Sequence, residues 1–160
     1  MKKLSLQIVP LTLAHREPIR KILLETNAFR SDEIDVALEL IDAYLNRTDD
    51  YQLYTAVEDE DTVLGYVCFG KTPVTLTTFD LYWIATAPAV QGKGVGQKLF
   101  EFACKTIEAQ GGRLVIIETS SQPRYEKTQK FYEKIGCVPE ARIKDFYSPG
   151  DDKLIYTKHL

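Results

Sequence analysis

An α/β fold, a mixed and mostly antiparallel sheet of six to seven strands flanked by helices, is predicted by three observations. Short apolar runs alternate with amphipathic segments of helical period in the order β-α-α-β-β-β-α-β-α-β-β. Residues 51–86 read as three strands in succession, the first two joined at the acidic turn Asp59-Glu60-Asp61, which makes a meander. The glycine-rich turn Gln91-Gly92-Lys93-Gly94-Val95-Gly96 then carries an apolar strand into an amphipathic helix.

Taken in order, Ile8, Val9 and Leu11 supply β-formers to a first strand over residues 5–11. A helix over 15–26 places Ile19, Ile22 and Leu23 on one face, with Pro18 in its first turn. Ser31 and Asp32 are N-cap types for a second helix reaching Arg47, whose stripe is Ile34, Leu38, Ile41 and Leu45. Its acids Glu33, Asp35, Glu39 and Asp42 read as a solvated face. The hairpin over 51–58 and 63–72 leads to a strand over 75–86, which Pro88 prevents from continuing. Val95, Leu99, Phe102, Ala103 and Ile107 then recur at helical spacing until Gly111-Gly112. Leu114-Val115-Ile116-Ile117 is apolar on both faces and suits the middle of a sheet. A helix over 125–135 stops at Gly136, and strands over 138–147 and 153–159 flank the turn Ser148-Pro149-Gly150-Asp151.

Composition narrows the function. At 160 residues and 44% hydrophobic, the chain suits one domain over 1–160, without internal repeats or linkers. A net charge of -3 with no long basic run argues against a nucleic-acid partner. No apolar stretch approaches the ~20 residues of a membrane span, and MKKLSLQIVP turns polar early for a signal peptide. The three cysteines lack metal-like spacing, so reduced thiols in a cytoplasmic protein and no metal are expected.

The glycine turn lacks the Lys-Ser/Thr pair of a Walker loop and the glycine order of a dinucleotide fold. Its position at a helix N-terminus, with Lys93 beside it, is an anion site by charge and geometry. Gln91, Gly94 and Gly96 match Gln/Arg-x-x-Gly-x-Gly/Ala, which resembles the acetyl-CoA loop of the GCN5-related N-acetyltransferases. Phe131-Tyr132-Glu133-Lys134-Ile135-Gly136-Cys137 is similar to that family's Phe-Tyr-Glu-Lys-x-Gly-Phe, with Cys137 in place of the last phenylalanine. The resemblance implies the family fold, with its central strand splayed from the next. Acetyl-CoA would then be the co-substrate, its pantetheine amides on the backbone of Ile84, Ala85 and Thr86 and its pyrophosphate in Gln91, Gly92, Lys93, Gly94, Val95 and Gly96. Thr119 and Thr128 join the expected cofactor site, although the neighbourhood Tyr125-Glu126-Lys127-Thr128 lacks the asparagine many relatives carry.

By the same resemblance Tyr132 is the general acid. A phenol of pKa ~10 keeps its proton at neutral pH, as protonating a leaving thiolate requires. For the base that takes a proton from the incoming ammonium, three candidates stay open: Asp80, Glu118 and water. The implied activity is transfer of an acetyl group by direct attack of a primary amine, on a small molecule or a peptide. A coenzyme A-binding regulatory or interaction module without turnover is the alternative, and another acyl donor such as succinyl-CoA would need a cation at the acyl pocket. The segments around Phe29 and Arg30, and around Phe146, Tyr147 and Asp152, are expected beside the acceptor entrance. Arg124 and Arg142 suit either a substrate carboxylate or neighbouring acids. The acidic balance favours a cationic acceptor, and an exposed terminal strand leaves monomer and homodimer both open.

Overall fold

The computed structural model describes residues 5–59 and 62–160; Glu60 and Asp61 of the expected acidic turn lie outside the described residues. The elements follow the predicted order: β1 (Gln7–Pro10), α1 (Leu13–Glu25), α2 (Ser31–Leu45), β2 (Gln52–Val57), β3 (Val63–Lys71), β4 (Thr78–Thr86), α3 (Val95–Ala109), β5 (Leu114–Ser120), α4 (Glu126–Lys134), β6 (Val138–Ser148) and β7 (Asp151–His159). The described residues form a seven-stranded sheet in the order β1-β2-β3-β4-β5-β7-β6. Every pairing is antiparallel except β4 with β5. That pair is parallel because α3 crosses between its strands.

Apolar periodicity divides the core by face. Val95, Leu99, Phe100, Ala103 and Ile107 of α3 and Tyr132 of α4 pack on one side of the sheet, over Val67, Phe79, Leu81 and Val115. On the other side Ile19, Ile22 and Leu23 of α1 and Ile34 and Ile41 of α2 cover Leu53, Tyr66, Cys68 and Ala85. Phe100, outside the expected stripe, is buried, whereas Phe102 of that stripe is half-buried and meets Tyr54 edge-on at 4.7 Å.

Boundaries differ for physical reasons. Helix α1 begins two residues early because the Thr12 N–H donates to His15 Nδ1 at 3.1 Å, which caps the helix from within. Pro18 is therefore beyond the first turn, and its ring removes one interior hydrogen bond. Neither Ser31 nor Asp32 caps α2: the cap position is Arg30, with no side-chain cap bond, and the Arg30 guanidinium pairs with Asp32 at 3.0 Å. The last helix is preceded by a 3-10 turn, Pro123–Tyr125, which the proline initiates. Strand β6 is exposed along its whole length, at the sheet's edge.

Candidate active site

Strands β4 and β5 run side by side only through residues 78–81 and 114–117 and then part. From there β4 stays with β3 as far as Thr86 opposite Gly65, while β5 follows β7 to Ser120 opposite Lys153. The β5-facing backbone groups of residues 82–86 are left without a strand partner, in need of another hydrogen-bonding neighbour. A bulge supplies the bend: Cys68 pairs with Trp83 and Phe69 with Leu81, so Tyr82 is the extra residue. Gly65 lets β3 stay close, because a Cβ there would lie 2.5 Å from the Ala85 carbonyl oxygen.

Two clefts meet at the parting. The larger, about 590 Å³, is lined by Ile84, Ala85 and Thr86, by the turn residues Gln91, Gly92, Gly94, Val95 and Gly96, and by Thr128, Lys127, Phe131 and Lys134 of α4. Gly94 takes φ +83° as the residue that starts α3. Nothing lies within 4 Å of a Cβ built there, so the left-handed backbone, not crowding, is what requires glycine. At Gly96 the reverse holds: a Cβ would press to 3.3 Å on the Phe131 ring. The first N–H groups of this 15-residue helix open on the cleft, before Lys98 N–H reaches the Gly94 carbonyl at 3.1 Å. With Lys127 and Lys134 opposite, the cleft has the charge and donors to hold phosphate groups.

The smaller cleft, about 230 Å³, shares Phe29, Ile84 and Thr128 with the larger. Aromatic side chains wall it: Phe29, which meets Trp83 edge-on at 5.2 Å, with Tyr82, Tyr125, Tyr132 and Tyr147. Tyr132 is 5% exposed, and its hydroxyl has no hydrogen-bond partner among the described residues. Burial, and secondarily the Cys137 thiol, holds its phenol well above the ordinary tyrosine range. The phenol therefore keeps its proton at neutral pH, in the lining of the smaller cleft.

A family model described as the acetyltransferase (GNAT) family matches residues 17–137. The chain belongs to the GNAT family. A solved structure from Desulfovibrio desulfuricans, assigned to the same GNAT family, is 37% identical over 97% of this chain and 99% of its own, with a TM-score of 0.92. An aminoglycoside 6'-N-acetyltransferase complexed with coenzyme A has the same fold at TM-score 0.74, with 14% identity over 96% of each chain. So does a chain of the NatC complex bound to Gag peptide and CoA, at TM-score 0.75 and 16% identity, covering 98% of this chain and 99% of that one. No curated protein sequence matches this chain.

In this GNAT chain not every expected site residue reaches a cleft. Lys93 is exposed and lines neither, its backbone N–H closing the turn onto Val90 at 3.1 Å. Thr119 lines the smaller cleft rather than the larger. Asp80 is absent from both clefts and accepts a hydrogen bond from Thr72 Oγ1 at 2.7 Å. Asp80 lies within the stretch where β4 still pairs with β5, opposite Ile116, and the Tyr82 bulge beyond it shifts the alternation, so Asp80 and Ile84 do not share a strand face. Glu118 does line the smaller cleft, paired to Lys153 Nζ at 2.8 Å.

Glu33, read from the sequence as part of a solvated face, is the most connected side chain of the site. It accepts the Tyr125 hydroxyl at 2.5 Å and pairs with Arg30 at 3.2 Å and Arg124 at 3.5 Å, tying α2 to the turn before α4. No local pattern marks it, because its partners lie up to 92 residues away. The hairpin between β6 and β7 divides similarly. Tyr147 and Asp151 reach the cleft, whereas Asp152 is engaged by Arg142, and Phe146 lies under Lys153 Nζ at 4.1 Å.

Proposed function

We propose that residues 1–160 form one N-acetyltransferase domain that moves an acetyl group from acetyl-CoA to a primary amine by direct attack. One observation carries this reading: two clefts, one built for an anionic arm and one aromatic and acidic, meet where β4 leaves β5, beside the unpartnered Tyr132 hydroxyl. The residues present fit acetyl-CoA. Free amides of the α3 N-terminus with Lys127 and Lys134 suit its phosphates, and the unpaired edge of residues 82–86 suits the amides of its arm.

When bound, acetyl-CoA supplies a thioester carbonyl as the electrophile. The chain's own groups do the rest. A backbone N–H of the open β4 edge meets the carbonyl oxygen as negative charge develops there. The amine arrives from the smaller cleft and must shed a proton before its lone pair can attack. Glu118, whose side chain is 45% exposed, receives that proton by way of solvent. Tyr132 holds a proton at its hydroxyl oxygen for the departing sulfur, its raised pKa keeping that proton in place at neutral pH, and the second proton that the acylated nitrogen gives up restores the phenol.

The test is amine-dependent release of thiol from acetyl-CoA by the native protein and by Tyr132→Phe. The expected loss in kcat is roughly a hundredfold or more, with the Kd for acetyl-CoA unchanged. A native protein that binds acetyl-CoA yet releases no thiol with any amine would be a silent module instead.

A further inference from the structure

Three carboxylates line the smaller cleft: Glu33, Glu118 and Asp151. Two already have cations. Glu33 holds Arg30 and Arg124, and Glu118 holds Lys153. Asp151 is different. It is 5% exposed, it accepts one neutral hydrogen bond, from Ser120 Oγ at 2.5 Å, and it has no ion pair among the described residues. Its neighbour Asp152 is 7% exposed, much the same, and is met by the Arg142 guanidinium. Arg30, which itself lines the cleft, is held by Asp32 and Glu33, and Lys153 is held by Glu118, so neither pairs with Asp151. A carboxylate withdrawn from water without a counter-ion is costly, and the open side of this one is the cleft.

We propose that Asp151 is the counter-ion for a cationic group of the acceptor that does not react, so that the substrate is a diamine-like molecule: one amine attacks, the other charge sits against Asp151 within the aromatic walls. This rests on the acetyltransferase reading. The assignment to the non-reacting group follows from charge. A carboxylate beside an ammonium holds it protonated, which opposes attack by that same nitrogen but secures a charge that persists through the reaction. The surroundings agree on the sign. The Tyr147 phenol, which shares the cleft, is raised first by burial and then by the charges of Glu118, Asp151 and Glu33, so all three carboxylates act on one point. Tyr82, Trp83 and Tyr147 line the same cleft, and aromatic rings attract cations. Tyr132, whose side chain is buried, lines the same cleft, and no hydrogen bond from a described residue occupies its hydroxyl.

Putrescine, butylamine and γ-aminobutyrate share a four-carbon chain and differ in the far group: cation, methyl or anion. Titrated calorimetrically into native protein saturated with coenzyme A, putrescine is expected to bind roughly tenfold to a hundredfold more tightly than butylamine, with γ-aminobutyrate weakest. Asp151→Asn should remove the putrescine advantage while leaving acetyl-CoA affinity intact, which also reports that the variant is folded. Equal binding of putrescine and butylamine to the native protein would overturn the proposal without any variant, and so would an unchanged putrescine affinity in a folded Asp151→Asn. Thiol release is followed in parallel. Selective binding without release would defeat the acetyltransferase reading and leave Asp151 as a cation site, whereas release with all three amines alike would do the opposite.

Discussion

Single residues here act through backbone geometry as much as through side-chain chemistry. Gly94 holds φ +83° at the start of α3, where open space surrounds it. Gly94→Ala should cost about 1 kcal/mol in stability from the left-handed backbone alone, read as a lower urea midpoint, with acetyl-CoA binding weakened as the amides shift. Gly65 is crowded instead. Gly65→Ala sets a Cβ 2.5 Å from the Ala85 carbonyl oxygen, so a loss of roughly 1–3 kcal/mol is expected, together with a raised KM for acetyl-CoA because the displaced strand edge lines the larger cleft. At Glu33, Gln would keep the Tyr125 contact but lose the charge that gathers Arg30 and Arg124. Its effect should appear in the KM for the amine and not in acetyl-CoA affinity.

Elements came out of the sequence where a local signal was strong. The glycine turn, the α3 stripe and the tyrosine motif of α4 are contiguous patterns; the turn residues Gln91, Gly92, Gly94, Val95 and Gly96, and Thr128, which the family resemblance alone brought in, line one cleft. What the sequence could not carry was non-local. The Tyr82 bulge is created by pairing with β3, so strict alternation placed Asp80 with Ile84 and misjudged its face. Glu33 sits in a helix that reads as a solvated face, and Asp151 ends a turn whose neighbours Phe146, Tyr147 and Asp152, rather than Asp151, are expected beside the acceptor entrance; only the packing of α2 and β7 brings both carboxylates into the cleft lining. Helix α1 adds a pH dependence. His15 accepts a hydrogen bond at Nδ1 as a neutral ring, and burial lowers its pKa below 6.5. Its folded value being depressed, the neutral ring's stabilisation is complete above pH 6.5 and is lost as pH falls through the lower folded value. His15→Gln should flatten the fall in urea midpoint just below pH 6.5 relative to the native protein.

Across the whole molecule, the two core layers grip opposite faces of a sheet that is open at its centre, so occupying that opening should stabilise both layers together. At acetyl-CoA concentrations about a hundredfold above Kd, mass action adds about 2.7 kcal/mol, a rise in Tm of roughly 5–10 °C for a chain of this size. Thermal unfolding with and without acetyl-CoA checks that shift. Whether the wedge between β4 and β5 is the acetyl-CoA site is tested directly by calorimetric titration of acetyl-CoA into native protein and Gly94→Asp. One-to-one binding is expected for the native chain, abolished when a carboxylate is set against the phosphate-facing amides. Absent binding to the native protein, or equal affinity in a folded Gly94→Asp, would contradict it.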